Sequence, residues 1–128
     1  MFQKKILVID DQDDLRFILC FDLKKQGYDV LSANCGEKGI ESARESRPDL
    51  IILDRKMPLM DGLETCRRLK ADPATKDIPV LILSGKSQRG ELDEALQAGA
   101  ADYVIKPFQF DELMKKIHGI TETDSKGC

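Results

Sequence analysis

Residues 4–11 read KKILVIDD, in which two lysines lead into a run of apolar residues and two aspartates close it. A strand that is covered by helices on both faces has this almost wholly apolar composition. Four more short apolar runs follow along the chain, and amphipathic segments of helical length separate them. This alternation predicts βα units arranged around a parallel sheet.

The later apolar runs fall at residues 28–33, 50–53, 79–83 and 103–105. The first of these alternates apolar and polar residues, which favours a strand near the sheet edge. We predict a flavodoxin-like (βα)5 fold with a doubly wound, parallel, five-stranded sheet of strand order 2-1-3-4-5. Asp13 or Asp14 is expected to cap the first helix. The predicted domain spans residues 1–120, and residues 121–128 are predicted to form a short polar tail.

The composition limits the class of protein. The chain has 128 residues, of which 41% are hydrophobic and 34% charged, and this suits one folded domain. A net charge of −3 argues against nucleic acid and anionic membranes as partners. No segment approaches the roughly 20 apolar residues of a membrane span, and we expect a cytoplasmic protein. Four scattered cysteines and a single histidine argue against a zinc site.

Polar side chains follow four of the predicted strands: Asp10 and Asp11, Asp54, Ser84, and Lys106. The carboxyl ends of parallel strands meet at one edge of a sheet, so these side chains are expected to lie together. Clustered carboxylates repel one another, and they either raise a pKa or hold a cation. Magnesium suits such an oxygen-rich site, and a lysine and a hydroxyl opposite it could bind phosphoryl oxygens.

Asp54 is the candidate nucleophile of this cluster. It follows an apolar strand at the centre of the predicted sheet, with acids on one side and Ser84 and Lys106 on the other. A carboxylate can attack phosphorus to form an aspartyl phosphate, and catalysis then consists mostly of positioning and charge neutralisation.

Four motifs in order resemble the receiver domain of two-component response regulators, over about residues 4–120. They are ILVIDDQ at 6–12, LDRKMP at 53–58 with MDG at 60–62, LSG at 83–85, and DYVIKPF at 102–108. The start of the chain and its lysine at position 56 look most like stand-alone receivers of the phosphorelay type. The resemblance implies a signalling module that catalyses only its own phosphorylation and dephosphorylation.

The resemblance also assigns roles to the site residues. It implies that Asp54 receives a phosphoryl group from a partner histidine, and that Asp11, Asp54 and the backbone carbonyl of Lys56 ligate magnesium. Asp10 is expected to act through a coordinated water. Lys106 is expected to pair with a phosphoryl oxygen, next to a cis bond that joins it to Pro107.

Ser84 and Tyr103 form the switch that the resemblance implies. Ser84 is expected to hydrogen-bond the phosphoryl group, and the rotamer of Tyr103 to follow it, so that the fourth helix, fifth strand and fifth helix carry the signal. The long side chains of Lys56 and Lys86 are expected to shield the aspartyl phosphate from water and to lengthen its lifetime.

The implied partners are a histidine kinase or histidine phosphotransfer domain upstream and an unknown protein downstream. By family analogy the upstream partner contacts the first helix near Leu15 and Ile18 and the loop at Pro107-Phe108. No output domain is expected after the fifth helix, because the tail is too short to bury a core.

Two alternatives differ in class. Asp11-Gln12-Asp13 superficially matches the DxD nucleophile motif of magnesium-dependent phosphatases of the haloacid dehalogenase type, with Asp11 as the nucleophile. A pure interaction module, with the receiver shape but no phosphorylation, is the other. Loss of an acid, the hydroxyl or the lysine would favour it, and none is lost.

Overall fold

The computed structural model describes residues 4–85 and 91–126 as five strands that alternate with five helices. The strands are β1 (Lys5–Ile9), β2 (Asp29–Ala33), β3 (Leu50–Asp54), β4 (Val80–Ser84) and β5 (Asp102–Ile105). The helices are α1 (Asp13–Lys25), α2 (Gly36–Ser46), α3 (Gly62–Ala71), α4 (Glu91–Gln97) and α5 (Phe110–Lys126).

The strands form one parallel sheet in the order β2-β1-β3-β4-β5, which confirms the predicted topology. β2 is an edge strand, as its alternating pattern predicts, and its side chains are more exposed than those of β1 and β3. In the register, Asp54 lies beside Leu83 and Ser84 lies beside Ile105. The carboxyl ends of β3, β4 and β5 therefore reach the same edge.

Successive residues of each strand point to opposite faces of the sheet, so each strand supplies two cores. Ile6, Val8, Ile52 and Leu83 pack on one face against α1 and α5. Alternate strand residues on the other face pack against α2, α3 and the segment around α4. The central strands are buried on both sides, which explains their continuous apolar sequence.

The start of α1 differs from the prediction that an aspartate caps it. Gln12 is the N-cap residue, with no side-chain hydrogen bond, and Asp13 and Asp14 lie in the first turn. The preceding turn is closed by Asp10, whose carboxylate accepts from the backbone N–H of Gln12 at 2.9 Å. Asp13 and Asp14 still favour the helix, because negative charge stabilises a helix N-terminus.

The end of α5 differs from the predicted tail. Residues 121–126 continue the helix to Lys126. Thr121 is buried and donates its hydroxyl to the carbonyl of Ile117 at 2.9 Å. Polar residues do not by themselves end a helix, and no proline or glycine interrupts this segment before position 127.

Glycines end two of the helices, and an aspartate caps a third. Gly27 and Gly99 have positive φ angles of 99° and 101°, just after the ends of α1 and α4. Asp61 caps α3 by accepting from the backbone N–H of Glu64 at 2.9 Å.

In the part of the chain that the structure describes, no helix is both long and apolar enough to cross a membrane.

Candidate functional site

Three carboxylates meet at the carboxyl ends of the two central strands. Asp10 and Asp11 follow β1, Asp54 ends β3, and each offers an oxygen within 4.8 Å of the others. Asp10 and Asp54 are buried, and Asp11 is half-buried. The predicted acidic cluster is therefore present.

Several hydrogen bonds hold Asp10 in place. Its backbone N–H donates to the carbonyl of Ala33, and its carbonyl accepts from Nη1 of Arg16 at 2.7 Å. One carboxylate oxygen, Oδ1, accepts from the N–H of Gln12. Burial raises the pKa of this carboxyl above its usual value, and the negative charges of Asp54 and Asp11 raise it further. The N–H of Gln12 and the charge of Lys106 act against this rise.

Two buried oxygens of the cluster, Oδ2 of Asp10 and Oδ1 of Asp11, have no hydrogen-bond partner within residues 4–85 and 91–126. Buried polar atoms are nearly always paired, so two unpaired oxygens in one pocket indicate a ligand. The side-chain atoms that this cluster offers as metal ligands are all carboxylate oxygens, which hard divalent cations such as Mg²⁺ prefer. The residues present therefore fit a magnesium ion.

Lys106 directly follows β5, and its side chain reaches toward the acids. Its Nζ lies 2.9 Å from Oδ1 of Asp54, and its backbone N–H donates to the carbonyl of Ser84 at 2.6 Å. The peptide bond between Lys106 and Pro107 is cis, as the resemblance implies. Ser84 is buried at the end of β4, the strand between those of Asp54 and Lys106. The structure thus places all five predicted strand-end residues along one edge.

The loop after β3 passes close to Asp54. A Cβ atom on Gly62 would lie 2.3 Å from the carbonyl oxygen of Asp54 and 2.8 Å from Cα of Arg55. Glycine is required here because the start of α3 packs against the backbone of the site. Lys56 is exposed in this loop, two residues beyond Asp54.

Tyr103 is half-buried on β5, and its ring packs against the core on the α2, α3 and α4 side. The ammonium of Lys116 lies 5.7 Å from the ring centroid and 3.0 Å from a carboxylate oxygen of Asp102. Lys86, the second residue predicted to shield the phosphate, lies outside the described residues.

A mostly apolar groove of about 580 Å³ adjoins the site between α1 and the segment after β5. Its walls include Leu15, Ile18, Pro107, Phe108 and Phe110, and Lys106 reaches it from the site. The α1 and loop residues that the resemblance assigned to a partner contact therefore form one continuous surface. We name this surface the α1–β5 groove.

Sequence reasoning gave no role in the site to three residues that shape it: Arg16, Gly62 and Lys116. Arg16 bonds the carbonyl of Asp10 and pairs with Asp13 at 2.6 Å. Its position three residues after an acid on a predicted helix was a usable signal. No local pattern could reveal that Gly62 meets the Asp54 backbone or that Lys116 covers Tyr103, because both contacts depend on tertiary packing.

The response regulator receiver domain model matches residues 6–118 of the chain. The chain belongs to this family. The match includes residues of all five strands and the site residues described above, so this receiver domain is a signalling module. The phosphatase interpretation of Asp11-Gln12-Asp13 is wrong, because the chain belongs to a different family. Asp13 itself lies on α1 in an exposed ion pair with Arg16.

Curated relatives of this receiver domain are longer proteins. It is 37% identical over 117 residues to the alkaline phosphatase synthesis transcriptional regulatory protein PhoP of Bacillus subtilis, covering 91% of the chain and 48% of that protein. It is 36% identical over 113 residues to the phosphate regulon transcriptional regulatory protein PhoB of Rhizobium meliloti, covering 88% of the chain and 50% of that protein. The chain spans about half the length of these relatives.

Solved receiver structures show the same fold. A putative response regulator from Chloroflexus aurantiacus superposes with a TM-score of 0.89 at 31% identity, covering 94% of this chain and 99% of that one. The chemotaxis protein CheY4 of Vibrio cholerae superposes with a TM-score of 0.88 at 28% identity, covering 93% and 99%.

Proposed function

We propose that Asp54 accepts a phosphoryl group from a phosphohistidine of a histidine kinase or histidine phosphotransfer domain. The observation that carries the proposal is the contact between buried Asp54 and half-buried Lys106, 2.9 Å apart beside Asp10 and Asp11. An acid that served only to end a strand would not need a lysine ammonium on one side and two acids on the other.

The transfer breaks one bond and forms another. A carboxylate oxygen of Asp54 attacks phosphorus, the bond between phosphorus and the histidine nitrogen breaks, and that nitrogen keeps the electron pair and takes a proton from solvent. The ammonium of Lys106 neutralises negative charge on the phosphoryl oxygens, and the hydroxyl of Ser84 donates a hydrogen bond to one of them.

Asp10, Asp11, Asp54 and the backbone carbonyl of Lys56 would hold the magnesium ion. When bound, Mg²⁺ supplies positive charge that offsets the repulsion between the carboxylates and the incoming phosphoryl group. The unpaired oxygens of Asp10 and Asp11 support this assignment.

Phosphorylation would act as a switch on the surface formed by α4, β5 and α5. A phosphoryl group adds about −1.5 to −2 charges, which draws Ser84 and Lys106 toward Asp54. Ser84 ends β4, the strand that pairs with β5, and Lys106 directly follows β5, three residues after Tyr103. A change in the Tyr103 rotamer would then present a different surface to a downstream protein.

The lifetime of the phosphoryl group is a separate part of the proposal. The exposed side chain of Lys56 lies in the loop just after Asp54, and with Lys86 it would hinder the approach of water. The aspartyl phosphate is then long-lived. A decay rate that is unchanged in Lys56→Asn and Lys86→Ala would remove this part alone.

The phosphorylation proposal is tested by intact-mass spectrometry of the purified protein with acetyl phosphate, with and without magnesium. We expect one phosphoryl adduct that requires magnesium and that is absent from Asp54→Asn. Asp29→Asn is the matched control, because Asp29 is an exposed acid at the opposite end of the strands, and it should label like the wild type.

Other outcomes contradict the proposal. Absence of an adduct under every condition would make the chain a pure interaction module. An adduct that persists in Asp54→Asn would mean that another aspartate is the acceptor.

A further inference from the structure

Helix α1 carries two phenylalanines on its exposed side. Phe17 is 71% exposed and Phe21 is 55% exposed, and their rings stack with centroids 6.4 Å apart. Neither ring contributes to the two cores. Large apolar side chains grouped on a surface indicate an interaction site more strongly than single ones do.

Charged residues flank this aromatic pair with opposite signs at its two ends. Asp14 precedes it and Lys24 follows it, and both side chains are exposed. The successive spacings are three residues from Asp14 to Phe17, four from Phe17 to Phe21 and three from Phe21 to Lys24. All four residues therefore lie on one stripe of the helix. Within the described chain, neither Asp14 nor Lys24 forms an ion pair. We call these four residues the α1 stripe.

The α1 stripe is symmetric about the level of Leu19. Asp14 and Lys24 are each five residues from that position, and Phe17 and Phe21 are each two residues from it. If a second α1 lies antiparallel on the first, Asp14 faces Lys24 of the second copy and Phe17 faces its Phe21. A two-fold axis then generates two opposite-charge pairs around a core of four phenylalanines, as a self-complementary interface requires.

We propose that two copies of this chain associate through an antiparallel contact between their α1 stripes. The α1 stripe is distinct from the α1–β5 groove, which uses Leu15, Ile18 and Asp22 on a neighbouring face of the same helix. A second copy is the occupant that the surface favours, because the stripe contains both halves of the complementary charge pattern. The proposal does not depend on phosphorylation.

The contact of one helix with another is small, so the dimer is weak. We expect a dissociation constant on the order of 100 µM at low salt, which rises as salt screens the charge pairs. Sedimentation equilibrium from about 10 µM to about 1 mM covers this range. A reductant is included because Cys20 lies on the same helix.

Charge reversal tests the antiparallel pairing. Asp14→Lys and Lys24→Asp each place like charges opposite one another twice per dimer, and each should weaken self-association at least about tenfold. An equimolar mixture of the two variants restores both opposite-charge pairs and should form a heterodimer with wild-type affinity. This rescue would not follow from a merely structural effect of either substitution.

The aromatic pair is tested separately. Phe17→Ser with Phe21→Ser should be monomeric over the whole range, with an unchanged circular dichroism spectrum because both side chains are exposed. A wild-type chain that remains monomeric at about 1 mM would overturn the proposal. So would a dimer that survives the double substitution, or a variant mixture that fails to associate.

Discussion

Asp10 is fully buried, yet one of its carboxylate oxygens has no hydrogen-bond partner among the described residues. Burial and the nearby charges of Asp54 and Asp11 raise its pKa, which means that the folded state disfavours its ionised form. The ionised side chain of Asp10 therefore lowers the stability of the folded state, as is common at functional sites.

We predict that Asp10→Asn stabilises the metal-free protein at neutral pH by about 1 kcal/mol. The amide oxygen can still accept from the N–H of Gln12, while the buried charge and its repulsion are removed. Urea unfolding in the presence of a chelator measures the difference. Asp29→Asn, at an exposed position, should change the stability by less than about 0.5 kcal/mol.

The pH dependence of that difference has a definite sign. The folded-state pKa of Asp10 lies above 3.8, its ordinary value. The ionised carboxylate therefore lowers the unfolding free energy of the wild type by its full amount only when the pH is above that folded-state pKa. As the pH falls through the folded pKa toward 3.8, the wild type takes up a proton and the advantage of Asp10→Asn should disappear. An advantage that grew on acidification would contradict the assignment.

Gly62 offers a second test at the residue scale. Gly62→Ala should destabilise the protein by about 1–3 kcal/mol, because the new Cβ meets backbone atoms of Asp54 and Arg55 that cannot rotate away. Gly119→Ala is the matched control in α5, where nothing lies within 4 Å of the added Cβ. It should stabilise by about 0.5–1 kcal/mol through its higher helix propensity. Thermal unfolding of both variants checks the opposite signs.

At the scale of elements, α5 is linked to β5 by the side chain of Lys116. This ammonium contacts the carboxylate of Asp102 and the ring of Tyr103, two residues of the same strand. The ring of Tyr103, the residue proposed to change rotamer, is thus held by a charge on the neighbouring helix.

We predict that Lys116→Met broadens the range of Tyr103 conformations and lowers stability by about 0.5–1 kcal/mol. The chain has no tryptophan and two tyrosines, so Tyr28→Phe leaves Tyr103 as the sole tyrosine fluorophore. Time-resolved fluorescence of this variant should show a wider lifetime distribution after Lys116→Met. Lys115→Met, at the exposed neighbouring position, should leave the lifetimes unchanged.

The elements also show how far the sequence predicts the structure. The strand order, the five strand-end residues and the glycines after α1 and α4 follow from periodicity and local signals. The cap of α1 does not, because the carboxylate of Asp10 closes that turn from outside the helix. The extension of α5 past Thr121 is missed because polar composition does not by itself end a helix, and no breaker residue lies between Thr121 and position 127. The contact of Lys116 with Tyr103 depends on packing between elements, which no local pattern contains.

At the scale of the whole molecule, the α1–β5 groove and the site share Lys106. A protein docked in the groove would bring its histidine close to the buried carboxylate. Acetyl phosphate is small and does not need the groove. A change in the walls of the groove should therefore affect phosphoryl transfer from a docked protein and not transfer from acetyl phosphate.

We predict that Ile18→Ser slows phosphoryl transfer from a phosphorylated histidine phosphotransfer protein at least about tenfold, because an apolar contact is lost. Labelling by acetyl phosphate should be unaffected. Leu96→Ser on α4 is the matched control, since Leu96 is 50% exposed and Ile18 is 54% exposed. Equal transfer rates for both variants would remove the groove as the docking surface.

The contact between Lys106 and Asp54 joins residues 52 positions apart in the sequence. It can form only after β3, β4 and β5 have paired, so the site is complete only in a molecule whose sheet is complete. Non-local pairing of this kind comes late and slowly in folding. In partial denaturant, a brief pulse of acetyl phosphate should therefore label only native molecules. The fraction of chains that acquire a phosphoryl adduct then measures the fraction that is folded.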